Sequence, residues 1–270
     1  MSTVIAYGGG VQSTALVVLA ATGRLEADAA LFCNVGDDSE NPGTVRYVRE
    51  VVIPWAAERG FPVHEIERRN RRGEPETLMQ VLLRSERSFD IPVRMANGAP
   101  GRRNCTREFK IKVMTRWVRR HAGATEEHPA TVLVGISTDE MERAGRRRQG
   151  RYEVTAYPLL DLGLDRSACL GVIRDAGLPL PGKSACWFCP FTRPQQFAEM
   201  RRDDPERFEQ CASLEDLLNE RRAKLGLDPV FLTRFGLPLR EAVPEAQPDL
   251  WSTLPGGIGE GGCDEGYCFV

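Results

Sequence analysis

The sequence predicts a three-layer α/β fold, built on a mostly parallel twisted sheet of the Rossmann-like kind, with a cysteine-bearing helical region and a flexible tail behind it. Three observations carry this. Short β-branched runs alternate with amphipathic helical patterns from residue 3 to residue 176, the signature of parallel strands joined by crossover helices. The stretch "YGGGVQSTAL" (7–16) sets three glycines between the first strand and the first helix. With 41% hydrophobic residues in 270, the chain can fill one large domain with a smaller appendix.

In order, strand 3–7 rests on Thr3-Val4-Ile5-Ala6-Tyr7, and helix 12–22 on the run that begins at Ser13. Strand 29–34 follows, then helix 42–59, strand 62–66 and helix 75–83. Residues 84–105, rich in Gly, Pro and Arg, read as a mobile loop that delivers Cys105. Beyond it come helix 106–122, strand 131–136 and helix 165–176. After "PLPGKSACWFCPF" the helical patterns are 193–201 and 205–224, and from about 238 a Pro/Gly-rich tail forms little core of its own. The organisation expected is a main domain over 1–182, a C-x-x-C helical region over 183–237 and a tail over 238–270.

No apolar run approaches the roughly 20 residues a membrane helix needs. The N-terminus is a strand without a basic lead-in, so the expectation is a cytoplasmic protein with no membrane partner. Net charge is −2, but the cations are clustered in "RRNRRG" (68–73), "GRRNCTREFKIKVMTRWVRR" (101–120) and "RAGRRRQGR" (143–151). Each run alone reads as a solvated helix face or loop. Three together suggest a polyanion-binding face, with Arg102, Arg103, Arg107, Lys110, Arg146, Arg147 and Arg148 as its candidates.

The first strand–helix turn of an open parallel sheet is the usual seat for a phosphate. Glycines let the backbone approach it closely, and the helix start offers unpaired N–H groups. Three in succession exceed what a plain tight turn requires. The Walker pattern fails, since Val11-Gln12-Ser13 follows Gly10 where Lys-Ser/Thr is needed, and the dinucleotide pattern fails at Ser13.

What the turn resembles is the PP-loop of the ATP pyrophosphatase and phosphoadenosine-phosphosulfate reductase superfamily, S-G-G-x-D-S. Gly9, Gly10 and Ser13 match it; Gly8 replaces the first Ser and Gln12 the Asp. The Gln form looks more like the loops of some sulfonucleotide reductases than those of strict pyrophosphatases, and Gln12 cannot supply the anionic oxygen that an Asp offers to Mg²⁺. "LFCNVGDDSENPGTVRYVREV" (31–51) is similar to the family's F-x-D-T-G-x-E-x-P-x-T, with Gly36, Asp38 and Pro42 in comparable places and Asn34 in place of an Asp. "VGISTDEMERAG" (134–145) looks like G-I-R-x-x-E-S-x-x-R, with Arg143 downstream, and "YPLLDLGLDRSACLGVIRDAGLPL" (157–180) like the P-L-x-D-W-T segment. The similarity runs from residue 3 to about 192. It implies a PP-loop/HUP-like fold that binds ATP or a sulfonucleotide. The phosphates would lie on the amides of Gly8, Gly9, Gly10, Val11 and Gln12 and on the Ser13 hydroxyl. Asp38 would act near the nucleotide or Mg²⁺, and Arg143 near a phosphate.

Eight cysteines in a cytosolic chain do not read as a disulfide framework. Cys33, Cys169 and Cys211 stand in strand or helix patterns as small buried hydrophobes. Cys186 and Cys189 form a C-x-x-C that could hold zinc, two corners of an iron–sulfur cluster, or nothing. A redox dithiol normally opens a helix, and here Pro190 follows directly. The resemblance implies that Cys105 joins them on a four-iron four-sulfur (4Fe–4S) cluster. The fourth iron would be open, or closed by Cys263 or Cys268; a Cys₄ zinc site that includes the tail is the alternative. The assimilatory adenylylsulfate reductases carry two adjacent cysteines where this chain has Asn104-Cys105. The tail "GGCDEGYCFV" is read three ways: as a cluster ligand, as a thiol arm with Cys263 or Cys268 as nucleophile, or as a disordered end. His64, His121 and His128 show no ligand spacing and read as surface residues.

The leading expectation is an iron–sulfur PP-loop enzyme that adenylates an acceptor such as tRNA or DNA with ATP and then inserts sulfur, drawing on a donor such as a cysteine desulfurase. The runner-up is a sulfonucleotide reductase in which a tail thiol attacks sulfur and no ATP is split. The third is a non-catalytic nucleotide-binding module with structural zinc.

Overall fold

The computed structural model describes residues 2–85, 91–146 and 150–244. Along the chain come β1 (Thr3–Tyr7), α1 (Val11–Ala21), β2 (Ala29–Asn34), α2 (Pro42–Arg46), a π-helical turn Tyr47–Val52, α3 (Ile53–Ala57) and β3 (Val63–Glu67). Next are α4 (Leu78–Arg84), β4 (Arg94–Met95), a second π-helical turn Thr106–Ile111 and α5 (Lys112–His121). Then follow β5 (Ala130–Val134), a 3-10 stretch Thr138–Arg146, β6 (Glu153–Ala156), α6 (Pro158–Asp161) and α7 (Arg166–Asp175). The last elements are α8 (Pro194–Asp203), α9 (Pro205–Lys224), β7 (Val230–Phe231) and α10 (Leu239–Ala242). Among the described residues no helix is long and apolar enough to cross a membrane.

The chain forms two compact units. The first takes the residues up to Leu78 and Thr106–Ser184; the second takes Met79–Cys105 and the described residues from Ala185 on. Residues 79–105, which the sequence counts with the main domain, therefore cluster with the C-x-x-C region.

In the first unit all five strands are parallel, in the order β3-β2-β1-β5-β6. β1 is central, with Val4 opposite Ala29 on one side and Val132 on the other. Because successive side chains of a strand point to opposite faces, Ile5 and Tyr7 enter one core with α1 and α7, while Val4 and Ala6 enter a second with α5. That division gives the three expected layers. Helix α1 is apolar almost all round and is buried from Val11 to Leu19 except at Ser13, as a helix packed between a sheet and α7 must be. Helix α5 instead buries Val113, Met114 and Val118 and turns Arg116, Arg119 and Arg120 outward. Starts are set by side-chain caps: Asn41 accepts from the Gly43 N–H at 2.8 Å, and Asp165 from the Ala168 N–H at 2.7 Å.

The second unit is mainly α8 and α9, with the antiparallel pair β4–β7. Arg94 pairs with Phe231 and Met95 with Val230, so the predicted mobile loop contains a strand. The Met95 N–H also bonds the Ala99 carbonyl at 2.9 Å around Gly98, whose φ is +76°. The partner strand lies some 135 residues further along, which is why local composition alone reads this segment as loop. Arg221 of α9 donates to the carbonyls of Leu82, Leu83 and Ser85 at 2.7 Å each, satisfying the open end of α4. Glu215, buried on the same helix, accepts from the backbone N–H groups of Leu232 and Leu239, both at 2.6 Å.

Candidate functional site

The order of the strands reverses between β1 and β5, and ligands of open α/β sheets bind at such a switch point, outside the carboxyl ends of the strands. The three glycines occupy that point, and they do different work. Gly9 has φ +76°, and a Cβ there would lie 2.7 Å from Thr44 Cγ2 and 3.3 Å from Val48 Cγ2. Gly9 is therefore demanded by the turn and by the packing of α2 and the π-helical turn against it. Gly10 is extended (φ −97°, ψ 176°) and is the N-cap of α1, with no side chain to cap it. A Cβ at Gly10 would meet nothing closer than Ser184 Cβ at 3.7 Å. Packing does not require glycine at Gly10, and its absence of a side chain leaves the first amides of α1 uncapped.

Gly135, just past β5, completes the close approach. A Cβ there would come within 2.9 Å of Gln12 C and Ser13 N, so only glycine lets the end of β5 lie against the first turn of α1. The Ser13 hydroxyl accepts from the Gly8 N–H at 3.2 Å and donates to the Gly10 carbonyl at 3.1 Å, which ties the turn to itself. Gln12 is buried; its Nε2 donates to Ser137 Oγ and its Oε1 accepts from Arg166 Nη1, both at 3.3 Å. Val11 is buried in the core beneath. The segment leading to the C-x-x-C is fastened over α2 and the turn. Tyr47 donates to the Pro179 carbonyl at 2.8 Å, Thr44 to the Lys183 carbonyl at 3.2 Å, and Ser184 to the Gly8 carbonyl.

At the ends of β2 and β3 the side chains are polar. Asn34 Nδ2 donates to Asp37 and to Glu65, both at 2.7 Å, and Arg49 bridges the same two carboxylates. The hydrogen bonds from Arg49 hold the Asp37 and Glu65 carboxyls below their usual range. Asp38 is exposed and accepts from Ser39 Oγ at 2.7 Å and Thr77 Oγ1 at 2.8 Å. Lys110 is buried 3.9 Å from the fully buried Glu40, and Arg143 is buried against Glu140 at 2.6 Å.

Cys105, Cys186 and Cys189 all belong to the second unit and are half-buried. The C-x-x-C forms a turn closed by the Cys189 N–H on the Cys186 carbonyl at 3.1 Å. Arg94 and Arg103 both lie over the ring of Phe191, two residues on, at 4.8 and 4.9 Å. The donor set suits a soft-metal or iron–sulfur site, yet among the described residues no three His, Cys, Asp or Glu side chains are gathered as a metal ion requires. Cys33, Cys169 and Cys211 are buried, and burial pushes the Cys169 thiol up to about 12. Arg102 is exposed, and Arg107 is exposed and paired with Glu108 at 3.0 Å. Cys263, Cys268, Arg147 and Arg148, and the side chain of Arg146, lie outside the described residues.

Four residues of this site escape the sequence reading: Gly135, Ser137, Arg166 and Ser184. A glycine directly after a core strand, as in "TVLVG", is the signal that could have flagged the first. The chain matches no family model, no curated protein and no solved structure. The PP-loop resemblance therefore rests on the motif residues alone.

Proposed function

We propose that the protein is an ATP-dependent enzyme of the PP-loop kind that adenylates a nucleic-acid acceptor and then replaces the adenylate with sulfur. The observation that carries the nucleotide part is the division of labour at the switch point: Gly9 shapes the turn, and Gly10 leaves the first amides of α1 without a side-chain cap. An acceptor oxygen attacks the α-phosphorus of ATP and pyrophosphate leaves. Sulfide sulfur then displaces AMP, forming the new bond to sulfur as the bond to oxygen breaks. The uncapped amides and positive end of α1 hold the negative charge of the departing pyrophosphate. Asp38 is the proposed carboxylate for Mg²⁺. Cys105, Cys186 and Cys189, although not gathered as a metal ion requires, are the thiols this reading proposes for a 4Fe–4S cluster. Sulfide is supplied free, or from a persulfide that a cysteine desulfurase forms on Cys263 or Cys268, the other tail thiol releasing the sulfide as the two cysteines close a disulfide.

The test is release of pyrophosphate and AMP from labelled ATP by the full chain, purified without oxygen, with bulk tRNA and sulfide present. Iron and acid-labile sulfide are measured on the same sample. Release that depends on tRNA supports the proposal, and no release under any condition removes it.

A second reading draws support from Gln12, which puts a neutral amide where the superfamily loop has an acid and engages it with Ser137 and Arg166. A sulfonucleotide reductase needs no Mg²⁺-assisted pyrophosphate cleavage. Sulfite released from phosphoadenosine phosphosulfate, with no pyrophosphate from ATP, would select it.

A further inference from the structure

Two of the three basic runs meet at a place that neither reveals alone. Beyond β3 the chain makes a hairpin closed by the Arg69–Pro75 bridge and by Asn70, whose N–H donates to the Glu74 carbonyl at 2.9 Å and whose Nδ2 donates to Glu74 Oε2 at 2.8 Å. This hairpin and α5 enclose a concavity of about 850 Å³ within the first unit. Its charged lining is four arginines, Arg69, Arg71, Arg116 and Arg120, against two glutamates, and both glutamates are engaged. Glu65 is held by Arg49 at 2.6 Å, and Glu67 by Arg69 at 2.7 Å. Arg71, Arg116 and Arg120 have no carboxylate partner among the described residues.

Aromatic rings stand among these cations. Trp117 makes tilted ring contacts with His64 and His121, with centroids 5.2 and 5.1 Å away at 38° and 32°. Helical spacing puts Arg116 beside Arg120 and Trp117 beside His121, so the cations and the rings run in parallel along α5. Rows of cations tracking a backbone, beside rings on which bases stack, are the recognition chemistry of single strands; in a duplex the base faces are already covered.

We propose that this groove docks single-stranded nucleic acid, with Arg71, Arg116 and Arg120 on phosphates and the lining rings of Trp117 and His121 under an unstacked base. As the acceptor's docking surface it rests on the adenylation reading; as a binding surface it stands apart from the glycine turn.

The experiment is fluorescence anisotropy of labelled dT20 and U20, and of a duplex of equal length, with the full chain at 50 and 200 mM salt. Single strands are expected to bind more tightly than the duplex. Trp117→Ala should weaken them about tenfold or more. The triple change Arg71→Ala, Arg116→Ala, Arg120→Ala should flatten the logarithmic salt slope by about 2. Because Trp117 also touches the core, Arg116→Glu with Arg120→Glu, both exposed, provides a second loss-of-binding variant. No strand binding, equal duplex binding that survives Trp117→Ala, or displacement of the strand by AMP at matching concentration would each overturn the proposal. ATP binding is measured alongside. Strand binding at Trp117 without ATP binding leaves this surface standing and removes the nucleotide reading, whereas ATP binding without strand binding removes only the surface.

Discussion

Gln12 and Ser137, 125 residues apart in sequence, share a hydrogen bond of 3.3 Å that joins the first turn of α1 to the chain leaving β5. The same amide accepts from Arg166 at the start of α7, so one buried side chain links the three segments that frame the switch point. Gln12→Ala leaves the buried Ser137 hydroxyl without this donor and should cost about 1–2 kcal/mol in chemical denaturation. A cost near zero would mean that the turn does not depend on this link.

Gly9 and Gly10 should respond oppositely to the same added methyl group. Gly9→Ala must adopt φ +76° and press on Thr44 Cγ2 at 2.7 Å, a combination expected to cost about 2–4 kcal/mol. Gly10→Ala meets only ordinary contacts and should cost about 1 kcal/mol or less, the penalty of alanine at an N-cap. Thermal melting of the two variants side by side checks the order.

Asn34 stands where the resembled family has an acid, and restoring the acid should harm this chain. Asn34 Nδ2 donates to Asp37 and Glu65, so Asn34→Asp replaces a shared donor with a third carboxylate. The expected loss is about 2 kcal/mol or more at pH 7. It should shrink as pH falls through the carboxylate range and the new acid protonates. A variant equally destabilised at pH 4 and pH 7 would contradict this.

Glu215 makes stability depend on pH. Burial pushes its carboxyl up to about 7, against the pull of the Leu232 and Leu239 amides. A folded value above the ordinary 4.5 means that the native state holds the proton more tightly than the unfolded chain. The contribution is complete below about pH 4.5 and is lost as pH rises through about 7, amounting to about 3 kcal/mol. Denaturation midpoints from pH 4.5 to 8 should fall in the wild type and flatten in Glu215→Gln. Equal slopes would remove this assignment.

Where local pattern decides the structure, the sequence is readable. The β-branched run at 3–7 and the apolar run at 29–34 form β1 and β2 at those bounds, and the pattern at 205–224 forms α9. The glycine turn is legible as a place, because a strand and a helix flank it. The separate duties of its glycines are not, since Gly9 is constrained by Thr44 and Val48 from another element. β4 eludes local reading because it exists through β7, and β6 because it is four residues long with a buried Glu153 that accepts from Thr115. Among the basic positions, Lys110 looks like its neighbours in sequence, yet the π-helical turn buries it near Glu40, while Arg116 and Arg120 remain outside.

If a nucleotide phosphate caps α1, the missing side-chain cap at Gly10 is what admits it. Gly10→Asp tests this most directly. Aspartate is a good N-cap, its Cβ would meet nothing closer than Ser184 Cβ at 3.7 Å, and it would bring its own negative charge to the helix start. The measurement is ATP affinity by calorimetry for the wild type and Gly10→Asp, with a melting curve for each. The variant is expected to melt at or slightly above the wild-type temperature while ATP affinity falls at least tenfold. Unchanged ATP affinity in a folded variant, or no ATP binding by the wild type, would contradict it.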